Sequence, residues 1–177
     1  MSVLLIGLGE TLTEVVAARL LEQGDEVRLV LAEETERERW RARGVHVAVG
    51  DMADEDFAWR ACMNVRTVVA GDHHPLHPPL REVLAGVLRK AGVGRVVAVG
   101  AGEPDELVGS LRAEPELEHV ILRFRRRGLL GAKDAVAPAD LAVAVDAADD
   151  LAGSPRLDLD LTRDADWKEL RLDPPGP

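Results

Sequence analysis

A glycine turn near the start of the chain carries its clearest chemistry. Val3-Leu4-Leu5-Ile6 runs into Gly7-Leu8-Gly9-Glu10-Thr11-Leu12-Thr13, then a helical pattern, then a second apolar run at 26–31. Strand, glycine turn, helix, strand is the start of a dinucleotide-binding unit. The glycines let the backbone approach a pyrophosphate, and the helix N-terminus supplies N–H groups and partial positive charge. The third glycine of the full fingerprint is replaced, with Leu12 or Thr13 in its place, and Glu10 adds a carboxylate where a pyrophosphate would sit. Two readings stand. Either Gly7, Leu8, Gly9, Glu10, Thr11 and Leu12 still border a dinucleotide, or the turn is kept for geometry alone. In the second case Glu10 is a carboxylate at an empty helix N-terminus, where negative charge is favourable.

Further candidates follow the next strands. Glu33 and Glu34 come after the second run, where an acid takes hydrogen bonds from an adenosine ribose. No basic residue stands at 32–34, so NAD is preferred to NADP as the cofactor. The alternative is a pair of helix-start acids on a solvated face. Asp51, in Gly50-Asp51-Met52-Ala53-Asp54, is placed to accept from an adenine amino group, and Asp54 reads as a helix N-cap. His73, His74 and His77 lie just after the fourth run; they form a metal-binding loop, a substrate-contacting loop or a solvated one. With no acidic or cysteine partner at usable spacing, we expect no metal. Arg123, Arg125, Arg126 and Arg127 either clamp an anion or pair with the protein's own carboxylates, and the second reading is favoured.

Other chemistries are excluded by what the chain lacks. It contains no tyrosine, so no phenol can act as general acid. Ser2, Ser110 and Ser154 are its only serines, and none sits in a nucleophile elbow. Cys62 is the single cysteine; it reads as a packing residue, excludes an internal disulfide and fits a reducing compartment.

These residues need a frame to hold them. Short apolar runs occur at 2–6, 26–31, 45–49, 66–70, 94–100, 118–123 and 156–161, and each suits a central strand covered on both faces. Helical patterns alternate with them. The clearest is 80–91, with Leu80, Val83, Leu84, Val87, Leu88 and Ala91 on one stripe and Gly92 as its stop. Leu12, Val16 and Leu20 stripe the first helix, Pro138 opens one at 139–150, and the charged segment 33–43 reads as an exposed helix. Alternation of this kind predicts a doubly wound, mainly parallel α/β sheet, a Rossmann-like three-layer sandwich, with the strand at 3–6 flanked by 27–31 and 66–70. One domain spans 1–163, and 164–177 form a C-terminal tail.

Composition limits the partners. The formal charge is −10, from 22 basic and 32 acidic side chains, which argues against nucleic acid and anionic lipid. No apolar run approaches the roughly 20 residues that span a bilayer. The opening strand has no basic stretch before it, so a cytoplasmic protein is expected. Self-association, most simply as a dimer, is expected through the apolar surface of 80–91 or the edge near 156–161.

The layout resembles the atypical short-chain dehydrogenase/reductase proteins of the NmrA-like, NAD(P)H-binding type over residues 2 to about 163. VLLIGLGETLTEVVAARLLEQGDEVRLVL, VHVAVGDMADEDF and LREVLAGVLRKAGVGRVVAVGAG carry it, with HVILRFRRRGLLG and the downstream VAPADLAVAVDAADDLAGSPRLDLDLT the most telling. The resemblance implies that Gly7 and Gly9 border the pyrophosphate and Asp51-Met52 the adenine. It also implies that Val69, Ala70 and Gly71 line the cofactor at the fourth strand, and Gly100-Ala101 at the fifth. The departures are large. The family's three glycines read Gly7, Glu10 and Thr13, the Tyr-x-x-x-Lys pair is missing, and the fifth strand ends Val99-Gly100-Ala101 where a serine is common. The first half also resembles the NAD-binding regulatory domains of potassium-transport systems, through Gly50-Asp51 and Val68-Val69-Ala70-Gly71-Asp72. The expectation is therefore a non-catalytic dinucleotide sensor, regulatory or interaction protein; the alternatives are a small NAD(P)H-dependent reductase or a domain of the potassium-transport type.

Overall fold

A computed structural model describes residues 2–71, 78–100, 106–114, 116–124, 136–151, 153 and 156–161. Strands and helices alternate along them. β1 (Ser2–Ile6) leads to α1 (Glu10–Glu22) and β2 (Glu26–Leu31). A 3-10 turn (Glu34–Glu36) and α2 (Arg37–Arg41) precede β3 (His46–Val49), and α3 (Glu55–Cys62) precedes β4 (Thr67–Gly71). α4 (Pro78–Lys90), β5 (Arg95–Gly100), α5 (Glu106–Ala113), β6 (Glu118–Arg123), α6 (Pro138–Asp149) and β7 (Arg156–Asp160) complete the order.

The seven strands form one sheet in the order β3-β2-β1-β4-β5-β6-β7, every neighbouring pair parallel. The chain leaves β1 outward to β2 and β3, then returns to β1's other side with β4. That reversal opens a crevice at the carboxyl ends of β1 and β4, where ligands bind in open α/β sheets. As the sequence predicts, β1 lies centrally between β2 and β4.

The inner strands β1, β4, β5 and β6 are apolar because both their faces are covered. Val3, Leu5, Val69, Val97 and Val120 pack under α1 and α6, whose Val16, Leu20, Leu141 and Val145 fill that layer. Leu4, Val68, Val96 and Ile121 face α3, α4 and α5, with Ala58, Leu84, Leu88 and Leu111. Burying one such leucine contributes about 2 kcal/mol. α4 stops at Gly92, which takes φ +73° while the Val93 N–H reaches back to the Leu88 carbonyl.

Polar bonds fix α6 at the amino edge of the sheet. Arg95 is buried; it donates to the carbonyls of Ala148, Asp149 and Leu151 and pairs with Glu118 at 2.9 Å. Asp149 accepts from the Thr67 hydroxyl and pairs with Arg66, and Asp146 pairs with Arg19 of α1 at 2.7 Å. Among the described residues no helix is long and apolar enough to cross a membrane.

One sequence expectation is corrected. Residues 33–43 are not one exposed helix but a 3-10 turn followed by a five-residue helix, and Trp40 within it is only 2% exposed. The charged neighbours face water while the indole closes the core beside Leu29 and Val45. The tail at 164–177 lies outside the described residues.

Candidate functional site

The turn after β1 is built from backbone conformations that glycine alone adopts freely. Gly7 takes φ +62° and Gly9 φ +76°. Helix α1 then starts at Glu10 with no side chain capping it, so its first N–H groups face the crevice end. Thr13 occupies the place of the third glycine. It is buried, and its hydroxyl donates to the Gly9 carbonyl at 2.7 Å, the same oxygen that takes the Thr13 N–H at 2.9 Å. A side chain at this position thus ties the turn to the helix rather than obstructing it.

Gly71, at the end of β4, packs directly on this turn. A Cβ there would lie 2.2 Å from the Gly7 carbonyl oxygen and 2.7 Å from Leu8 Cα. Only a bare backbone lets the two strand ends approach so closely. Two clefts open on either side of the contact. One, of about 680 Å³, runs from Gly7 along the ends of β2 and β3. The other, of about 300 Å³, lies between the turn, Gly71, the end of β5 and the start of α6. Leu8, Gly9 and Glu10 line both.

The larger cleft has an apolar floor of Leu29, Leu31, Trp40 and Met52, and its described ionisable lining residues are all acidic: Glu10, Glu33, Glu36 and Asp51. Arg39 stands beside them without lining the space. Its Nη1 lies 2.8 Å from Glu10 Oε1 and 3.7 Å from Glu36, its Nη2 pairs with Glu14, and its guanidinium stacks over the Trp40 ring at 5.8 Å. The hydrogen bond that Arg39 donates to Glu10 pushes the arginine's pKa up and keeps it a cation. Asp51 Oδ1 accepts the Ala53 N–H at 2.8 Å, closing its own loop. Asp54 caps α3 as expected, accepting from Asp56 and Phe57 N–H.

The smaller cleft is walled by Leu12, Val99, Phe124, Val136 and Leu141. Glu10 is the one ionisable residue among its described lining.

Of the sequence candidates, Gly7, Leu8, Gly9 and Glu10 sit where the clefts meet, Glu33, Asp51 and Met52 line the larger, and Thr11, Leu12 and Gly71 the smaller. Ala70 is buried within β4 and lines neither. Gly100 ends β5 and accepts the Phe124 N–H at 3.0 Å; it is Val99 that reaches the cleft. Ala101, the histidines at 73, 74 and 77, and Arg125, Arg126 and Arg127 lie outside the described residues. Arg123 pairs with Asp158 at 2.6 Å, as the carboxylate-pairing reading expects. Cys62 is buried and its thiol is pushed up to about 12 by desolvation, which makes it a packing residue. Sequence reasoning missed Trp40, Arg39 and Phe124. A lone tryptophan in a run of charges was the available signal for the first.

No family model matches the chain, and no curated protein does. Solved structures do. The anaerobillin reductase ChuY from Escherichia coli O157:H7 aligns with a TM-score of 0.70 at 15% identity, over 89% of this chain and 95% of that one. A Rossmann-fold NAD(P)-binding family protein from Shigella flexneri aligns at 0.68 and 17% identity, over 87% and 89%. The triphenylmethane reductase of Citrobacter sp. aligns at 0.74 and 15% identity, over 90% and 69%. Strand order, register and these likenesses agree: the chain has a Rossmann-like α/β fold.

Proposed function

We propose that this chain binds a nicotinamide dinucleotide across the carboxyl edge of its sheet and acts as a sensor or regulatory protein of the NmrA-like type. The observation that carries this reading is the pair of clefts meeting at the Gly7–Gly9 turn. Their sizes lie within the range of small-molecule sites. Adenosine fits the larger cleft and the nicotinamide end the smaller, with the diphosphate on the bare N-terminus of α1. Gly71 keeps the strand ends close enough for one ligand to reach both. The names of the similar structures lend support, since one is called NAD(P)-binding and two are called reductases.

Electrostatics favours NAD over NADP. A 2′-phosphate would enter a space whose ionisable lining is Glu10, Glu33, Glu36 and Asp51. These carboxylates accept hydrogen bonds from ribose hydroxyls and repel an additional 2′-phosphate. The non-catalytic part rests on the proton. Reduction of a carbonyl needs an acid at the oxygen; the chain has no tyrosine, and Glu10 is the one ionisable residue among the described lining of the smaller cleft.

A reductase is the second reading, favoured by the apolar wall of Val99, Phe124, Val136 and Leu141 beside the nicotinamide end. Such a wall would seat an apolar hydride acceptor. Assay with NADH and NADPH against aldehydes, ketones and quinones separates the two: background rates support the sensor, and turnover above background supports the reductase. The accompanying proposal is a cytoplasmic dimer. Light scattering at tens of micromolar should give twice the 19.1 kDa chain mass, and a monomer mass would remove it.

A further inference from the structure

A second cleft of different character lies away from the dinucleotide crevice, at the β3 edge. β1, β2 and β3 are in register so that Leu4 stands beside Arg28, and Arg28 beside His46. Register partners in a parallel sheet point to the same face. Leu4 is fully buried in the layer under α3 and α4. One strand outward Arg28 is half-buried, and two strands outward His46 is exposed. The helical cover thins across this row, because α1 and α2 pack on the opposite face. A cleft of about 270 Å³ remains, with Arg60 overhead on α3 and Arg41 at the end of α2.

Its charge is opposite to that of the crevice. Three arginines and His46 line it and, among the described residues, no acidic side chain does, in a chain with 32 Asp and Glu against 22 Lys and Arg. The guanidiniums are incompletely used. Arg28 is aimed by its bonds to the Met63 carbonyl and Glu26, both at 2.9 Å. Among the described residues Arg41 pairs with Glu38 alone, at 3.3 Å, on the open surface. Arg60 donates to the Asp56 carbonyl and has no carboxylate within 4.0 Å among the described residues. Ala48 and Ala61, both half-buried, give the floor an apolar surface.

We propose that this cleft is a second binding site, independent of the dinucleotide crevice, for a small amphipathic organic anion. The ligand class is a flat or aliphatic body carrying a carboxylate, sulfonate or phosphate. The body covers the floor, and the anionic group lies between Arg28, Arg41 and Arg60. Arginines from three separate elements that line one space suit forked recognition of such a group.

The test uses 8-anilinonaphthalene-1-sulfonate as probe, followed by fluorescence and by backbone amide shifts on the full chain. The sulfonate should bind at least tenfold more tightly than neutral N-phenyl-1-naphthylamine, with shifts centred on His46, Ala48 and Arg60. Arg60→Gln should weaken it about fivefold, and Arg41→Gln with Arg60→Gln about twentyfold. Arg89→Gln, on the remote surface of α4, should leave it unchanged. Equal affinity for the neutral probe overturns the proposal. So do shifts centred on Gly7–Gly9, an equal loss in Arg89→Gln, or a poly-glutamate peptide binding as tightly as the sulfonate.

Discussion

Replacing Arg39 with methionine tests how this chain would tolerate a carboxylate at the start of α1, where the proposed diphosphate would lie. Arg39 holds Glu10 at 2.8 Å and also reaches Glu14 and Glu36. The side chain of Glu10 is 63% exposed, so the pair adds little to the stability of the fold, but it removes one net negative charge from the cleft's mouth. Methionine keeps most of the stem that covers Trp40 and deletes the charge. A unit charge about 6 Å from each phosphate, in a water-like dielectric, changes affinity by about threefold per phosphate charge. For the two charges of a diphosphate, Arg39→Met should therefore weaken NAD about tenfold at low ionic strength. At about 0.5 M salt the screening length falls to about 4 Å, and the loss should shrink to about twofold. Adding Glu10→Gln to Arg39→Met restores the net charge and should bring affinity back within about threefold of wild type; Glu10→Gln alone should gain several-fold. Calorimetric titration of the four proteins at two salt concentrations measures all of this. An Arg39→Met protein that binds NAD like wild type at low salt, or a loss that persists at high salt, would refute the electrostatic reasoning.

Two further outcomes follow from packing and burial. Gly71→Ala forces a Cβ to 2.2 Å from the Gly7 carbonyl, where backbone stands on both sides. It should cost at least about 2 kcal/mol and lower Tm by roughly 4–8 °C; an unchanged melting curve would mean the strand ends are further apart than described. Burial raises the Asp149 carboxyl above its ordinary value of 3.8, against the Thr67 hydrogen bond and the Arg66 charge that favour ionisation. An acid raised in the fold contributes stability that is complete below its unfolded pKa and is lost as pH rises through the folded one. Urea melts of wild type and Asp149→Asn should therefore show the wild-type advantage falling as pH rises above the ordinary carboxyl value of 3.8. An advantage that grows with pH would give Arg66 the larger part.

Much of this fold is written in short-range pattern. Short apolar runs mark the strands, and all seven lie in one parallel sheet, although β3 and β7 are edges and less covered than the central strands the pattern suggests. Gly92 and Asp54 act through local backbone geometry and were readable as a stop and a cap. The misread segment is 33–43, where one buried indole outweighs the charges around it, because burial depends on what α1 and β2 present and not on neighbours in sequence. The site divides along the same line. Gly7 and Gly9 are legible from the strand-turn-helix pattern, whereas the close packing of Gly71 on their turn is seen only in the fold. The pairing of Glu10 with Arg39 is not, because 29 residues separate them and only the packing of α2 beside α1 joins them. Read alone, Glu10 looks like an uncompensated charge. The basic cleft escaped for a related reason: Arg28, Arg41, His46 and Arg60 are scattered, and only strand register and the position of α3 gather them.

The central claim is that a nicotinamide dinucleotide, with NAD preferred, occupies the two clefts that meet at Gly7–Gly9. Titration calorimetry of the purified chain with NAD, NADH, NADP and NADPH tests it most directly. The account predicts one site per chain for NAD or NADH, with the 2′-phosphorylated forms at least tenfold weaker because four carboxylates line the adenosine end. No heat with any of the four, or NADPH binding more tightly than NADH, would contradict it.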